Sequence, residues 1–239
     1  MENSDINTPV SFQLDGCDIF FNAGETVLQA AKNAGKYIPH LCYHPDYSPH
    51  GNCKLCVVRV NGRFVSSCTT KAEPNLIVES DINALKSTRM HLTQMLFTEG
   101  NHHCPFCERS GNCQLQATAY YLGIHDNHYD HPYPNRDIDA SHPDVVLDRD
   151  RCIMCGLCVS ASEQEGKSIF ALSARGAATH IIVNSDSGLL KDSTIAATDK
   201  AMHICPVGAL IVKGTAFTHP IGERAYDHGT IETVGHHTE

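Results

Sequence analysis

No apolar run in this 239-residue chain approaches the ~18 residues needed to cross a bilayer, so direct membrane insertion is not expected. Met1 to Pro9 is polar and acidic, without the apolar centre of a secretory signal. A cytoplasmic protein is the expectation, with any membrane anchor supplied by a partner. Basic residues are in deficit: 18 Lys and Arg against 27 Asp and Glu leave a formal charge of −9. No basic stripe is visible, so nucleic acid is not an expected partner, and the acidity reads as a solvated surface. No G-x-G-x-x-G follows a strand and no G-x4-G-K-[ST] occurs, which leaves nucleotide and flavin sites without a signal. Neither a Ser-His-Asp set nor a paired-carboxylate constellation stands out, and no internal repeat is clear. Bond-making chemistry is not expected on this chain, and no catalytic residue is assigned.

Cysteine, by contrast, is plentiful, and eleven of the twelve fall into three groups. Cys42, Cys53, Cys56 and Cys68 form C-x10-C-x2-C-x11-C. Cys104, Cys107 and Cys113 form C-x2-C-x5-C, preceded by His102 and His103. Cys152, Cys155 and Cys158 form C-x2-C-x2-C, with Cys205 later in a Cys-Pro pair. In a chain without an export signal, such density favours metal over disulfides. Thiolate is a soft anionic ligand suited to iron–sulfur clusters. With one histidine added to the second group, the ligands suffice for three clusters. Cys17 is left over and reads as a small half-buried residue.

Each group predicts a particular centre. The first has one close pair plus two single ligands, which gives each iron of a [2Fe–2S] cluster two thiolates, while Gly51 and Asn52 allow the tight wrap around sulfide. Zinc is the alternative there, since C-x2-C is common in zinc sites. The second group leaves a [4Fe–4S] cubane one ligand short. Neutral imidazole also binds iron and makes a cluster less negative. Either His102 or His103 could reach, and the expectation carried forward is His102. The third group resembles a bacterial-ferredoxin [4Fe–4S] site, with Cys205 closing the same cluster because only one triplet exists.

The expected fold is α+β, in three parts. Residues 9–80 read as a β-grasp [2Fe–2S] ferredoxin-like domain. Val10–Leu14 and Ile19–Asn22 flank the turn Asp15-Gly16, and Val57–Val60 and Arg63–Val65 flank Asn61-Gly62. A helix is expected from Thr26 to Ala34 and a closing strand from Leu76 to Val78. Residues 81–143 read as a helical segment holding the His/Cys3 site, with helices at Asp81–Phe97 and Gln114–Leu122. Asp81 is the expected N-cap, and Ile82, Leu85, Leu92, Met95 and Leu96 form a stripe that packs on the core. His125 to Pro143 looks like an irregular connection. Residues 144–239 read as a small α+β [4Fe–4S] ferredoxin-like domain and tail, with strands at Val145–Leu147, Ser168–Leu172 and His180–Val183 and a helix at Thr194–His203.

In this order the three motifs resemble the N-terminal iron–sulfur region of the large NADH-dehydrogenase (complex I) subunit and the start of many [FeFe]-hydrogenases. The resemblance is closer to the small diaphorase subunit of soluble NAD-reducing [NiFe] hydrogenases. It is carried by Glu99-Gly100-Asn101-His102-His103-Cys104-Pro105, where the histidine lies two before the cysteine, by Cys205-Pro206-Val207-Gly208, and by Pro220-Ile221-Gly222-Glu223-Arg224. In complex I and [FeFe]-hydrogenases the histidine normally lies four before, where this chain has Gly100. No cysteines remain for the extra cubane of some relatives, and no hydrogen-activating domain or molybdopterin-type extension is expected. The resemblance implies an electron-transfer subunit. Its partners would be a flavin- and NAD-binding diaphorase subunit and the small and large [NiFe] hydrogenase subunits, with FMN, NAD and the NiFe centre on those chains. The alternatives are the same relay in an NAD-dependent formate dehydrogenase or other complex I-like NADH dehydrogenase, and a zinc-stabilised scaffold.

Overall fold

The computed structural model describes residues 10–133 and 135–236. Asp15 and Gly16 adopt φ of 50° and 80°, the left-handed pair of a two-residue turn whose twist matches its strands. Across it, β1 (Ser11–Leu14) and β2 (Cys17–Phe20) pair antiparallel. Alternation sends Phe12 and Leu14 into the core. Cys17 is exposed, which corrects the expected half burial: it lies at the turn end of an edge strand, with a neighbour on one side only.

A reciprocal capping box starts α1 (Val27–Asn33). Thr26 Oγ1 accepts from the Gln29 amide at 3.2 Å, and Gln29 Oε1 accepts from the Thr26 amide at 2.8 Å; such a cap contributes about 1 kcal/mol. Gly35, at φ 69°, ends the helix. β3 (Val57–Val60) and β4 (Arg63–Ser66) flank the second hairpin turn at Asn61-Gly62. β5 (Ile77–Glu79) then inserts parallel to β1 and antiparallel to β3, giving the order β2-β1-β5-β3-β4. Val27, Leu28, Ala30 and Ala31 of α1 share one apolar cluster with Phe12, Ile19, Val58 and Val78 of the sheet. This is the β-grasp arrangement.

Downstream, α2 (Asn83–Glu99) starts two residues later than expected. Ile82, whose side chain has no acceptor, occupies the N-cap position, and the Asp81 carboxylate pairs with Lys86 at 2.5 Å. Leu85 is buried and Leu92 and Leu96 pack on the core, whereas Met95 is 51% exposed, a departure from the expected stripe. The inward face carries polar side chains instead: Arg89, Thr93 and Gln94 are buried. Arg89 is fully engaged. It donates to Leu55 O (3.0 Å), Val57 O (2.9 Å), Ser80 O (2.9 Å) and Ser80 Oγ (2.9 Å), so one guanidinium ties the helix to the loop carrying Cys53 and Cys56 and to the end of β5. α3 (Gln114–Tyr121) follows, close to expectation.

Beyond the irregular stretch after His125, a short β6 (Ile138–Asp139) pairs with β7 (Val145–Asp148). Then come α4 (Leu157–Gln164), which the sequence pattern did not suggest, and the hairpin β8 (Phe170–Ser173) and β9 (His180–Val183). Ser168 adopts φ 46°, which delays the start of β8. The expected helix at Thr194–His203 contracts to α5 (Lys200–His203). Asp199 accounts for this: it accepts from the Ala196 amide at 2.9 Å and from Lys167 Nζ at 2.6 Å, which turns the preceding chain away from helix. β10 (Leu210–Val212) pairs antiparallel with β7, and α6 (Ile231–Val234) ends the described chain. Among the described residues, no helix is long and apolar enough to cross a membrane.

The Arg89 clamp yields a stability prediction. Arg89→Met leaves three buried carbonyls without their donor and should cost roughly 2–4 kcal/mol, read as a lower midpoint in denaturant unfolding. A midpoint unchanged from the parent would show that the clamp does not hold the fold.

Candidate metal centres

The first group of cysteines sits where two loops of the β-grasp unit meet. Cys42 lies between α1 and β3, Cys53 and Cys56 just before β3, and Cys68 just after β4. Gly51 and Lys54 take φ of 66° and 58°, which curls the loop around its own cysteines. The Cys53 amide donates to Cys42 Sγ at 3.3 Å, and Cys56 Sγ lies 3.3 Å from Cys68 Sγ. The set is therefore two pairs. In the first pair, the Cys42 thiol holds Cys53 down to about 6 despite burial, helped by the Leu55 and Leu41 amides, while Cys42 itself is pushed far up. The second pair repeats this: Cys56 is held down to about 7 by the Cys68 side chain, and Cys68 is pushed up.

The second group closes on a cavity lined by His102, Cys104, Cys107 and Cys113, with Phe97, Leu115 and Arg151 among the remaining walls. His102 Nε2 is buried without any hydrogen-bond partner. Burial holds its pKa down to about 4, so the ring stays neutral with a lone pair to donate. His103, by contrast, is exposed. Glycine is required at position 100, because a Cβ there would lie 2.5 Å from His102 Nε2 and 2.7 Å from the Asp150 carbonyl oxygen. Cys113 stands at the N-cap of α3, its thiol pushed up to about 12 by burial although the Gln116 and Leu115 amides point at it.

Cys152, Cys155, Cys158 and Cys205 line a third cavity whose other walls are mainly apolar, including Leu147, Ile153, Ile181, Val207 and Leu210. Met154 at φ 53° and Gly156 at φ 80° coil the triplet into the start of α4. Cys205 comes in from the far side, just after α5, and Pro206 passes its carbonyl to the Gln114 amide at 2.9 Å. Burial pushes Cys152 up to about 11 and Cys155 and Cys158 well above the usual thiol value. Such thiols ionise only when a cation compensates them.

All twelve cysteines are free. Among the described residues, no three His, Cys, Asp or Glu side chains are grouped closely enough to hold a single metal ion. The sulfurs of the second and third sets line cavities, whereas those of the first stand as two close pairs. The donor chemistry fits: soft sulfur throughout, one orphaned imidazole nitrogen where a thiolate is missing, and amides directed at sulfur.

The three sets do not lie in chain order. Cys42 and Cys53 of the first share an apolar cluster with Cys152, Cys155, Cys158 and Cys205 of the third, and a Cβ on Gly156 would stand 3.7 Å from Asn52 Nδ2. The third also abuts the second: a Cβ on Gly208, just past Cys205, would lie 3.3 Å from Cys107 Sγ. The third set therefore abuts both of the others, and Cys53 and Cys113 of those two also share an apolar cluster.

Sequence reasoning brought together the members of every set but missed their supports. Arg151 Nη1 lies 3.8 Å from Cys107 Sγ. Arg224 covers Gly111 and donates to Ser110 O at 3.3 Å, so the Pro220–Arg224 motif braces the loop between Cys107 and Cys113. His236, after α6, stacks on His40 at 3.8 Å, two residues from Cys42. Only Gly208 and Arg224 left a trace in the sequence, as parts of motifs quoted for their likeness.

Comparison with known proteins places these sites in a family. A 2Fe-2S iron–sulfur cluster binding domain matches residues 7–83, the NADH-ubiquinone oxidoreductase-G iron–sulfur binding region matches 89–128, and a 4Fe-4S single cluster domain matches 145–212. The gamma subunit of the NAD-reducing hydrogenase HoxS of Cupriavidus necator is 36% identical over 91% of this chain and 93% of its own length. A chain in the crystal structure of an NAD+-reducing [NiFe]-hydrogenase in the H2-reduced state is 53% identical with a TM-score of 0.92, covering 94% of this chain and 96% of that one. The mitochondrial 78 kDa subunit of NADH-ubiquinone oxidoreductase from Candida albicans is 30% identical over 87% of this chain, which spans only 29% of that protein. With cysteine sets, fold and full-length likeness in agreement, this chain belongs to the family of iron–sulfur electron-transfer subunits of NAD-reducing hydrogenases.

Proposed function

We propose that the chain holds one [2Fe–2S] cluster on Cys42, Cys53, Cys56 and Cys68, one [4Fe–4S] cluster on His102, Cys104, Cys107 and Cys113, and a second [4Fe–4S] cluster on Cys152, Cys155, Cys158 and Cys205. The observation that carries this is the second cavity, which a histidine with a buried, unpartnered ring nitrogen lines together with three cysteines. When bound, such clusters accept and release single electrons at potentials set by charge, hydrogen bonds and exposure. The protein's part is to hold the ligands, exclude water and keep the sets close through shared apolar walls. Three units follow, at 9–80, 81–143 and 144–239, in keeping with family matches at 7–83, 89–128 and 145–212.

In this reading the partners are a flavin- and NAD-binding diaphorase subunit and the small and large subunits of a [NiFe] hydrogenase, in the cytoplasm. FMN, NAD and the NiFe centre belong to those chains. We take the Cys42 set and the His102 set as the two ends of the relay, with the diaphorase subunit at one end and the hydrogenase module at the other.

Anaerobic purification should give about ten iron atoms per chain with matching acid-labile sulfide. Zinc without sulfide would end the cluster assignment. Nickel in the co-purified assembly supports the hydrogenase module, whereas molybdenum or tungsten points to a formate dehydrogenase. His102→Ala should disturb one cluster's EPR signal and slow electron passage about tenfold or more, while His103→Ala leaves both near the parent values. Loss of that signal in His103→Ala alone would move the ligand by one residue. The isolated chain should show no NADH oxidation with or without added FMN, and flavin-dependent turnover by it would contradict the division of labour.

A further inference from the structure

Between the second and third ligand sets stands a cation that neither set requires for ligation. Arg151 directly precedes Cys152, yet its side chain turns the other way and forms part of the wall of the His102 cavity. Nη1 lies 3.8 Å from Cys107 Sγ. Nη1 also pairs with Glu108, and Nε pairs with Asp148 at 2.8 Å. The side chain retains only 21% of its exposure, so solvent screens it weakly.

We propose that Arg151 sets the reduction potential of the centre held by His102, Cys104, Cys107 and Cys113, raising it above the value a neutral side chain would allow. The inference rests on the ligand assignment proposed above. Reduction adds one negative charge to a cluster, so a fixed cation beside a ligating sulfur stabilises the reduced form more than the oxidised form. A guanidinium is charged at every accessible pH. Arg151 therefore stays protonated throughout, and no proton need accompany the electron that leaves one centre and enters the other. His102 contributes in the same direction, because a neutral ligand replaces an anionic one. Glu108 and Asp148 oppose Arg151, but its guanidinium is the group placed against the sulfur. Removing Arg151 would also leave both carboxylates without their shared partner. Their pairing with Arg151 orients it, which makes them part of the same setting. An ion pair serving stability alone would have no reason to direct an N–H at a thiol inside a ligand cavity.

The test is a potentiometric EPR titration of the whole complex, purified anaerobically. The signal to follow is the one lost in His102→Ala. Arg151→Gln should lower the reduced-to-oxidised ratio of that centre about tenfold at fixed potential, equivalent to ~59 mV for a one-electron couple. Arg151→Lys should recover most of the parent value. Glu108→Gln should shift the same signal upward, a direction that general damage to the site does not produce. An unchanged midpoint in Arg151→Gln, or a shift confined to the centre disturbed by Cys205→Ser, would overturn the proposal. If Arg151→Gln fails to assemble the centre, the sign of the Glu108→Gln shift decides: upward supports the proposal, downward or absent overturns it. Iron well below about ten atoms per chain in the parent complex would instead remove the ligand assignment, and this inference with it.

Discussion

Cys42, Cys56, Cys68, Cys113, Cys155 and Cys158 are buried as deeply as many of the aliphatic side chains around them, and they belong to the apolar clusters that hold the units together. Sulfur is thus core material here as well as prospective ligand. A buried thiol strongly prefers to stay protonated, whereas a metal ligand must be thiolate. The two demands are reconciled only if charge arrives with the ligand field, so metal uptake and completion of the core are one event. The remaining architecture can be understood as preparation for that event: turns that curl the loops, amides aimed at sulfur, and mainly apolar walls around the third set.

Two devices hold the loops in readiness. Arg89 reaches from α2 into the first loop and spends its donors on backbone carbonyls, fixing the Cys53–Cys56 segment from outside. The C-terminal segment does the same for the second loop. Arg224 lies over Gly111, the Ala225 amide donates to Asn112 Oδ1 at 2.7 Å, and the chain then runs on to stack His236 against His40. That segment has little regular structure of its own, yet it touches the surroundings of two ligand sets. Its irregularity follows from what it does, since a strap must follow the surface it binds.

Much of this was legible in sequence because it depends on short-range chemistry. Asp15-Gly16 and Asn61-Gly62 encode their turns locally, Thr26 and Gln29 encode a helix start, and the cysteine spacings encode ligand sets. What escaped depended on distant partners. Arg89 looks like a surface residue until its acceptors come from residues 55, 57 and 80. Thr194 to Thr198 has no strong helix-breaking residue, and the hold of Asp199 on the Ala196 amide and on distant Lys167 explains why it is not helix. The approach of the third set to the other two was equally invisible, because it joins parts far apart in the chain, with the bare backbone of Gly208 set close against Arg109 and Cys107.

The glycine at position 100 has a consequence for how such sites diverge. The volume that a side chain would enter from Gly100 is already filled by the ring of His102. The two positions therefore compete for one space, and a donor can be presented from either but not from both with bulk retained at the other. With the imidazole in place, even a methyl group at position 100 would have to move the ring or the Asp150 carbonyl, so the ligand's seat is cut from bare backbone.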